Sequence, residues 1–275
     1  MSQLSQIEAA GASPYGSTNP KDMRSIIRKG EWTGRTTDAC HGYAQANLAI
    51  LPKAYASEFL LFCIRNRRSC DPLEVTDPGV PEPKQMAPGA DLRTDLPKYR
   101  VFKDGNLIDE PTDIINYWRD DLVCFLIGCS LAFVWALKAA NISWRYYGAY
   151  RTTIPCTPAG SFHGPMVVTV RAFYNSHDAI RAVQISSRHC QGFHGPPVHI
   201  GDPADIGIQN LGRPDSFNPY RPVVELPRPG EIVICWGCGI TPETVAMESK
   251  IPLMITHSPA HEFITDHLAE ELAIL

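Results

Sequence analysis

The segment EIVICWGCGITPETVAMESKIPLMITH, residues 231–257, reads as strand, helix, strand. Residues 231–236 and 252–256 are short apolar runs suited to strands, and residues 241–249 between them read as a helix. That order at this spacing predicts a βαβ unit and a partly parallel sheet. The expected fold class is α/β: a mixed, partly parallel sheet with flanking helices, in two closely associated lobes around one cleft.

Outward from this segment, residues 165–171 (PMVVTVR) are a strand by their β-branched content, 175–182 a helix start and 183–186 a strand. Pro111, Thr112 and Asp113 open a central helix expected to run to about Ala140. It contains the longest uncharged run, 122–137, which falls short of the roughly 20 residues a bilayer span requires and is read as a buried core helix. Residues 99–102 and 105–108 form a hairpin turned by Lys103-Asp104-Gly105. Residues 71–88 are rich in proline and acids, with a short strand at 73–75; 55–67 is a mostly buried helix. Asn19-Pro20 starts a short helix over 21–29. Residues 1–20 are expected as a flexible tail and 21–275 as one functional unit, with a soft lobe boundary near 155–165.

The 275 residues suffice for a large core, and 44% hydrophobic with 20% charged residues describes a soluble globular chain. A net charge of −4 gives no reason to expect nucleic acid or an anionic membrane as partner; a homo-oligomer is left open. The densest basic cluster, Arg65, Arg67 and Arg68, reads as a solvated helix end. Nine cysteines without a secreted-framework spacing point to a reduced, intracellular protein. The N-terminus has neither a secretory signal pattern nor an Arg-rich amphipathic leader. A cytoplasmic location is expected, with a mitochondrial one not excluded. Cys235 and Cys238 form a C-x-x-C, read as a buried strand running into a glycine turn.

Several strings carry chemistry. In DLRTDLPKYR (91–100), Pro97 holds Leu96 out of the α region, so Arg93, Thr94 and Asp95 sit on a fixed loop. Arg93 or Arg100 there suits a bidentate grip on a carboxylate; an internal Arg–Asp brace explains the pattern equally well. FLIGCS (125–130) offers the Cys129 thiol and the Ser130 hydroxyl beside Gly128, with packing as the plainer reading. In RTTIPCTPAGSFHGPMVV (151–168), Arg151, Thr152, Cys156 and Gly160 belong to a loop fixed by Pro155 and Pro158, able to present backbone N–H groups to an anion. PVHIGDPADIGI (197–208) supplies His199 and Asp202, and ITHSPAHEFITD (255–266) supplies His257; histidine suits proton transfer near neutrality. His194, His199, His257 and His261 could hold a divalent metal, but their spacing matches no zinc signature, so no cofactor is expected.

With GYAQANLAILP (42–52) and WGCGITPE (236–243), these strings in this order resemble the D-glutamate cyclase-like family of hydro-lyases, from about Arg24 to Asp266. The resemblance implies conversion of D-glutamate to 5-oxo-D-proline with loss of water. It makes His199, Asp202, His257, Asp95 and Cys129 the candidate catalytic residues. Arg93, Thr94, Ser130, Arg151, Thr152, Cys156, Gly160, Cys238 and Thr241 are the candidate substrate contacts. Three positions depart from the family pattern: Val134 stands where an acid is usual, Thr153 where an asparagine is usual, and Pro259-Ala260-His261-Glu262 where the family has P-G-H-M. The expected function is a hydro-lyase acting on a small carboxylate, with a substrate diverged from D-glutamate. The alternatives are a carboxylate-binding protein that has lost the chemistry and, more remotely, a zinc-dependent lyase or hydrolase.

Overall fold

A computed structural model describes residues 14–189, 193–215 and 226–274. In chain order the elements are α1 (Pro20–Arg28), β1 (Tyr43–Pro52), α2 (Lys53–Arg65), α3 (Arg67–Cys70), β2 (Pro72–Val75), β3 (Tyr99–Lys103), β4 (Asn106–Asp109), β5 (Leu122–Gly128), α4 (Leu131–Ala139), β6 (Trp144–Pro155), β7 (Pro165–Phe173), α5 (Ser176–Ser187), β8 (His199–Ile200), β9 (Ile232–Gly237), α6 (Thr241–Ser249), β10 (Met254–His257) and β11 (Phe263–Leu268). Of the tail expected over residues 1–20, residues 1–13 lie outside the described set.

The strands form two sheets. Seven strands run β2-β5-β1-β10-β3-β4, with β11 pairing beside β10 on β1; four run β6-β7-β9-β8. The chain leaves the first sheet after Gly128 and returns to it at Met254, and the boundary expected near 155–165 falls in the turn between β6 and β7, within one sheet.

The α/β class and its flanking helices stand, but every strand pairing among the described residues is antiparallel. The partly parallel sheet is therefore corrected. The strand–helix–strand segment 231–257 exists as read, but β9 lies in the small sheet and β10 in the large one. Helix α6 crosses between sheets instead of returning to its own, so no βαβ unit forms.

A second correction concerns residues 122–128, which are strand β5 and not the middle of a helix. Its side chains alternate between two cores: Val123, Phe125 and Ile127 face the core shared with the small sheet. Leu122, Cys124 and Leu126 face the core on the other side. A strand buried on both faces reads as a continuous apolar run, which periodicity alone cannot distinguish from a buried helix. Of the helix expected over 111–140, Leu131–Ala139 is the α-helical part, with a single 3-10 turn at Ile115–Tyr117. Strand β1 alternates in the same way, with Ala49 and Leu51 in the first core and Ala46, Leu48 and Ile50 in the second. Residues 183–186, expected as a strand, complete helix α5.

Other expectations hold. Asn19 caps α1 by accepting from Lys21 N at 2.9 Å, with Pro20 opening the helix. The β3–β4 hairpin turns through Asp104 (φ 50) and Gly105 (φ 82), the positive-φ pair that a tight two-residue turn requires. Among the described residues, no helix is long and apolar enough to cross a membrane.

Candidate active site

A cavity of about 490 Å³ opens where the end of the large sheet meets the face of the small sheet turned away from the shared core. Two strand-to-helix junctions with the same local sequence pattern build much of its wall. Gly128-Cys129-Ser130 joins β5 to α4, and Gly237-Cys238-Gly239 joins β9 to α6. Cys129, Ser130 and Cys238 all line the cavity.

The two junctions meet at Asn47 on β1. Its Nδ2 donates to Gly128 O at 2.7 Å, and a Cβ placed on Gly239 would lie 1.9 Å from that same Nδ2. Glycine at 239 is thus a requirement of close approach rather than of backbone dihedral.

Arg171 comes from β7. Along this strand Val168, Val170 and Ala172 enter the shared core, so Thr169 and Arg171 point to the opposite face, into the cavity. The guanidinium is buried, at 2% exposure, among aromatic rings: its Cζ lies 5.2 Å from the Phe133 and Trp236 centroids and 5.4 Å from that of Tyr146. Nη1 donates to Thr169 Oγ1 at 3.0 Å and Nη2 to Ser130 Oγ at 3.4 Å.

Glu262 enters from the turn before β11. Burial first, with the negative charge of Asp38, also in the lining, raises its carboxyl to about 7 against the pull of its hydrogen bonds; Thr36 Oγ1 donates to its Oε2 at 3.3 Å. The turn that delivers it contains Ala260 at φ 64, a conformation that favours glycine. Val134 also lines the cavity. The acid that the family pattern places at 134 is absent, yet the same cavity holds a carboxyl at 262.

Burial pushes both cavity thiols up, Cys238 to about 12 and Cys129 well above its ordinary value. Each feels the charges of Glu262 and Arg171, and each sulfur accepts a backbone N–H from the residue two positions on, Leu131 and Ile240 respectively. Both are neutral thiols in the unliganded protein at neutral pH.

Of the residues expected from sequence, the fold brings Cys129, Ser130 and Cys238 together. Thr241 stands directly behind them: its hydroxyl donates to Cys238 O at 2.7 Å and accepts from Val167 N at 3.1 Å, which fixes the junction without lining the cavity.

The remaining candidates lie elsewhere. Asp95 is the brace that the loop pattern allowed: its carboxylate takes Arg28 at 2.7 and 2.6 Å, Asp91 N at 2.9 Å and Thr94 Oγ1 at 3.0 Å. Arg93 grips Asp91 at 2.9 and 2.7 Å and lies over the Trp118 ring. Arg100 joins Glu110 and Glu243. Arg151 is exposed and paired with Glu248. Thr152 donates to Met166 O at 2.8 Å, and Cys156 packs in the shared core. Gly160 (φ 54) turns over Glu58, whose Oε2 accepts from Ser161 N at 2.9 Å.

His199 and Asp202 do not form a side-chain dyad. His199 Nε2 lies 2.9 Å from the Asp202 backbone carbonyl, while the Asp202 carboxylate caps Ala204 N at 2.9 Å. His257 is sealed beside β1, where its Nδ1 accepts from Leu48 N at 3.3 Å; burial lowers it to about 3, so it stays neutral. Neither histidine lines the cavity. Among the described residues, no three His, Cys, Asp or Glu side chains are grouped to hold a metal ion. The basic cluster at the end of α2 braces neighbouring segments: Arg65 donates to Pro158 O, Arg67 pairs with Asp71, and Arg68 donates to Pro196 and Pro197 O.

Arg171 and Glu262 were not among the expected site residues. Arg171 had a legible signal, a lone charge within the β-branched run PMVVTVRAF (165–173). Glu262 showed only as a departure from the family string.

Residues 123–266 match the family model described as D-glutamate cyclase. A Geobacillus kaustophilus protein, named "Putative hydro-lyase", is 49% identical over 93% of this chain and 97% of its own. A Thermoanaerobacter protein of the same designation is 50% identical over 94% and 97%, and one from Bacillus subtilis 47% identical over 93% and 99%. A solved structure, a nitrogen repressor-like protein from Methanococcus jannaschii, aligns over 88% of this chain and 96% of its own at TM-score 0.38 and 9% identity, a likeness too slight to bear on function.

Proposed function

The chain belongs to the D-glutamate cyclase family, and from that premise we propose that it is a hydro-lyase that removes water from a small carboxylate bound in the cavity between its two sheets. One observation carries this reading: a buried arginine and a buried carboxyl titrating near neutrality share that cavity.

Arg171 grips the substrate carboxylate. Its ring-lined surroundings exclude water, which strengthens a charge-assisted bidentate contact, and the hydroxyls of Thr169 and Ser130 hold the guanidinium plane in place. Glu262 moves protons. A carboxyl at about 7 is populated in both forms at neutral pH, so it can carry the two protons that the attacking ammonium loses, one after the other, to the departing carboxylate oxygen. In the cyclising case the amine nitrogen bonds to the carboxyl carbon, the C–O bond breaks and water leaves. Ser130 Oγ is a donor for the oxyanion that develops on the way.

The cavity lining combines the apolar Leu131, Val134, Ile142 and Trp144 with the acids Asp38 and Glu262. With valine at 134, the substrate differs from D-glutamate. The test is mass spectrometry of purified protein with D-glutamate, L-glutamate and a panel of hydroxy- and amino-carboxylates. Loss of water from one of them, abolished in Arg171→Gln, is the expected result. A carboxylate that binds without losing water overturns the hydro-lyase reading in favour of a binding protein, and efficient turnover of D-glutamate overturns the divergence.

A further inference from the structure

The paired junctions are more than a wall. Gly128-Cys129-Ser130 and Gly237-Cys238-Gly239 each end a strand and open a helix, one from each sheet, and they touch the same Asn47 side chain. Both cysteines therefore line the same cavity, one at the end of a strand from each sheet. Both lie within the electrostatic reach of Arg171 and Glu262, and Cys129 responds to Cys238 itself. All eight described cysteines are buried, but only these two, in matching local settings, line the cavity that holds Arg171 and Glu262.

We propose that Cys129 and Cys238 form an acid–base pair that exchanges the α-hydrogen of an amino-acid carboxylate held by Arg171, giving this site an epimerising activity beside dehydration. The inference rests on the carboxylate grip of the proposed function, and extends it from the carboxyl end of the substrate to its α-carbon.

The step balances without any further reactant. One thiol passes its proton to the Glu262 carboxylate and becomes a thiolate, which accepts the backbone N–H of Leu131 or Ile240. The thiolate takes the α-proton: the Cα–H bond breaks, an S–H bond forms, and the electron pair spreads into the carboxylate clamped by Arg171. The second thiol then delivers its proton to the other face of the carbon and becomes the thiolate in turn. Nothing is oxidised or reduced, and the site ends with one thiolate, one thiol and a protonated Glu262, as it was before proton abstraction. The neutrality of both thiols at rest agrees with this order, because the base is created only when Glu262 can accept the proton. The α-ammonium of the substrate stabilises the thiolate once it forms.

The experiment incubates the whole protein with each α-amino-carboxylate of the same panel, the two glutamates among them, in D2O, reading deuterium at the α-carbon and loss of water in one mass-spectrometric run. Deuterium gain in the wild type is expected, reduced by at least ~100-fold in Cys129→Ser and in Cys238→Ser. The ligand-induced rise in melting temperature is retained in both variants, which separates lost chemistry from lost binding. Water loss without deuterium gain overturns the thiol pair and leaves the hydro-lyase reading intact. Exchange that survives in both serine variants also overturns the pair. Where no α-amino-carboxylate of the panel binds, iodoacetate decides. Alkylation of Cys129 or Cys238 at least ~10-fold faster by iodoacetate than by iodoacetamide, lost in Arg171→Gln, is the expected outcome, since the reagent carboxylate is drawn to the arginine. Equal rates overturn the proposal.

Discussion

Arg171 on the small sheet reaches Ser130 at the end of the large one, its Nη2 donating to Ser130 Oγ at 3.4 Å, so the guanidinium bridges the two sheets at the floor of the cavity. A long 3.4 Å bond to a neutral hydroxyl is one that a carboxylate oxygen outcompetes. Arg171→Lys keeps the charge and loses the planar fork, together with the stacking on Phe133, Tyr146 and Trp236. The expected outcome is a carboxylate affinity lower by ~10- to 100-fold, about 1.5–3 kcal/mol, measured by titration calorimetry. Unchanged affinity in a folded variant would remove Arg171 from the binding step.

Glu262→Gln keeps the shape of the side chain and removes its proton chemistry. Turnover is expected to fall by ~10²- to 10⁴-fold, with substrate affinity little changed. The acid limb of the rate profile near pH 7 is expected to disappear with it.

The same group governs stability against pH. Its folded value, about 7, lies above the ordinary 4.5, so the protonated form is favoured in the folded state. Its contribution is fully present below pH 4.5 and is lost as pH rises through 7. The difference of about 2.5 units corresponds to a loss on the order of 3 kcal/mol once the carboxyl is ionised. Melting temperature is therefore expected to fall from pH 5 to pH 8 less steeply in Glu262→Gln than in the wild type. Glu243, raised to about 7 by burial against the pull of Arg100, titrates in the same window and keeps some slope in both proteins.

What could be read from the chain follows the range of each signal. The α1 cap, the β3–β4 turn and α6 depend on a few neighbouring residues, and they appear where the sequence puts them. Strand β5 and the crossing of α6 between sheets depend on what packs on both sides, which no local pattern encodes. The site divides in the same way. Cys129, Ser130 and Cys238 sit at strand ends marked by glycine, and they do line the cavity. His199, His257 and Asp95 were attractive for their chemistry alone, and the fold spends them on a backbone carbonyl, a buried amide and an arginine. Arg171 needed the strand's alternation to be followed through to the opposite face.

Asp95 and His199 give a paired control. Asp95→Ala removes the acceptor for Arg28, Asp91 N and Thr94 Oγ1. Because Arg28 is half exposed, its ion pair is partly screened, and the expected loss of stability is about 2 kcal/mol, mostly from the buried acceptor. His199→Ala, on the short edge strand β8, removes a single contact to the Asp202 carbonyl and is expected to cost under about 1 kcal/mol. Denaturant melts measure both losses. Turnover per folded molecule is expected to be unchanged in each, and a hundredfold fall in either would return that residue to the chemistry.

Ala260 holds φ 64 in the turn that sets Glu262, and its carbonyl accepts from Thr36 N at 2.9 Å. An L-residue in the left-handed region costs roughly 1–2 kcal/mol, and glycine avoids that cost at the expense of greater freedom in the unfolded chain. Ala260→Gly is therefore expected to raise stability by about 0.5–1 kcal/mol, read as a higher denaturation midpoint with an unchanged slope. The same relief loosens the turn. The strained alanine, held at both its carbonyl and its neighbour's side chain by Thr36, keeps Glu262 pointed at the cavity, so a modest fall in turnover is expected to accompany the gain. A variant that gains stability and loses no activity would mean that the alanine contributes nothing to the placement of the carboxyl.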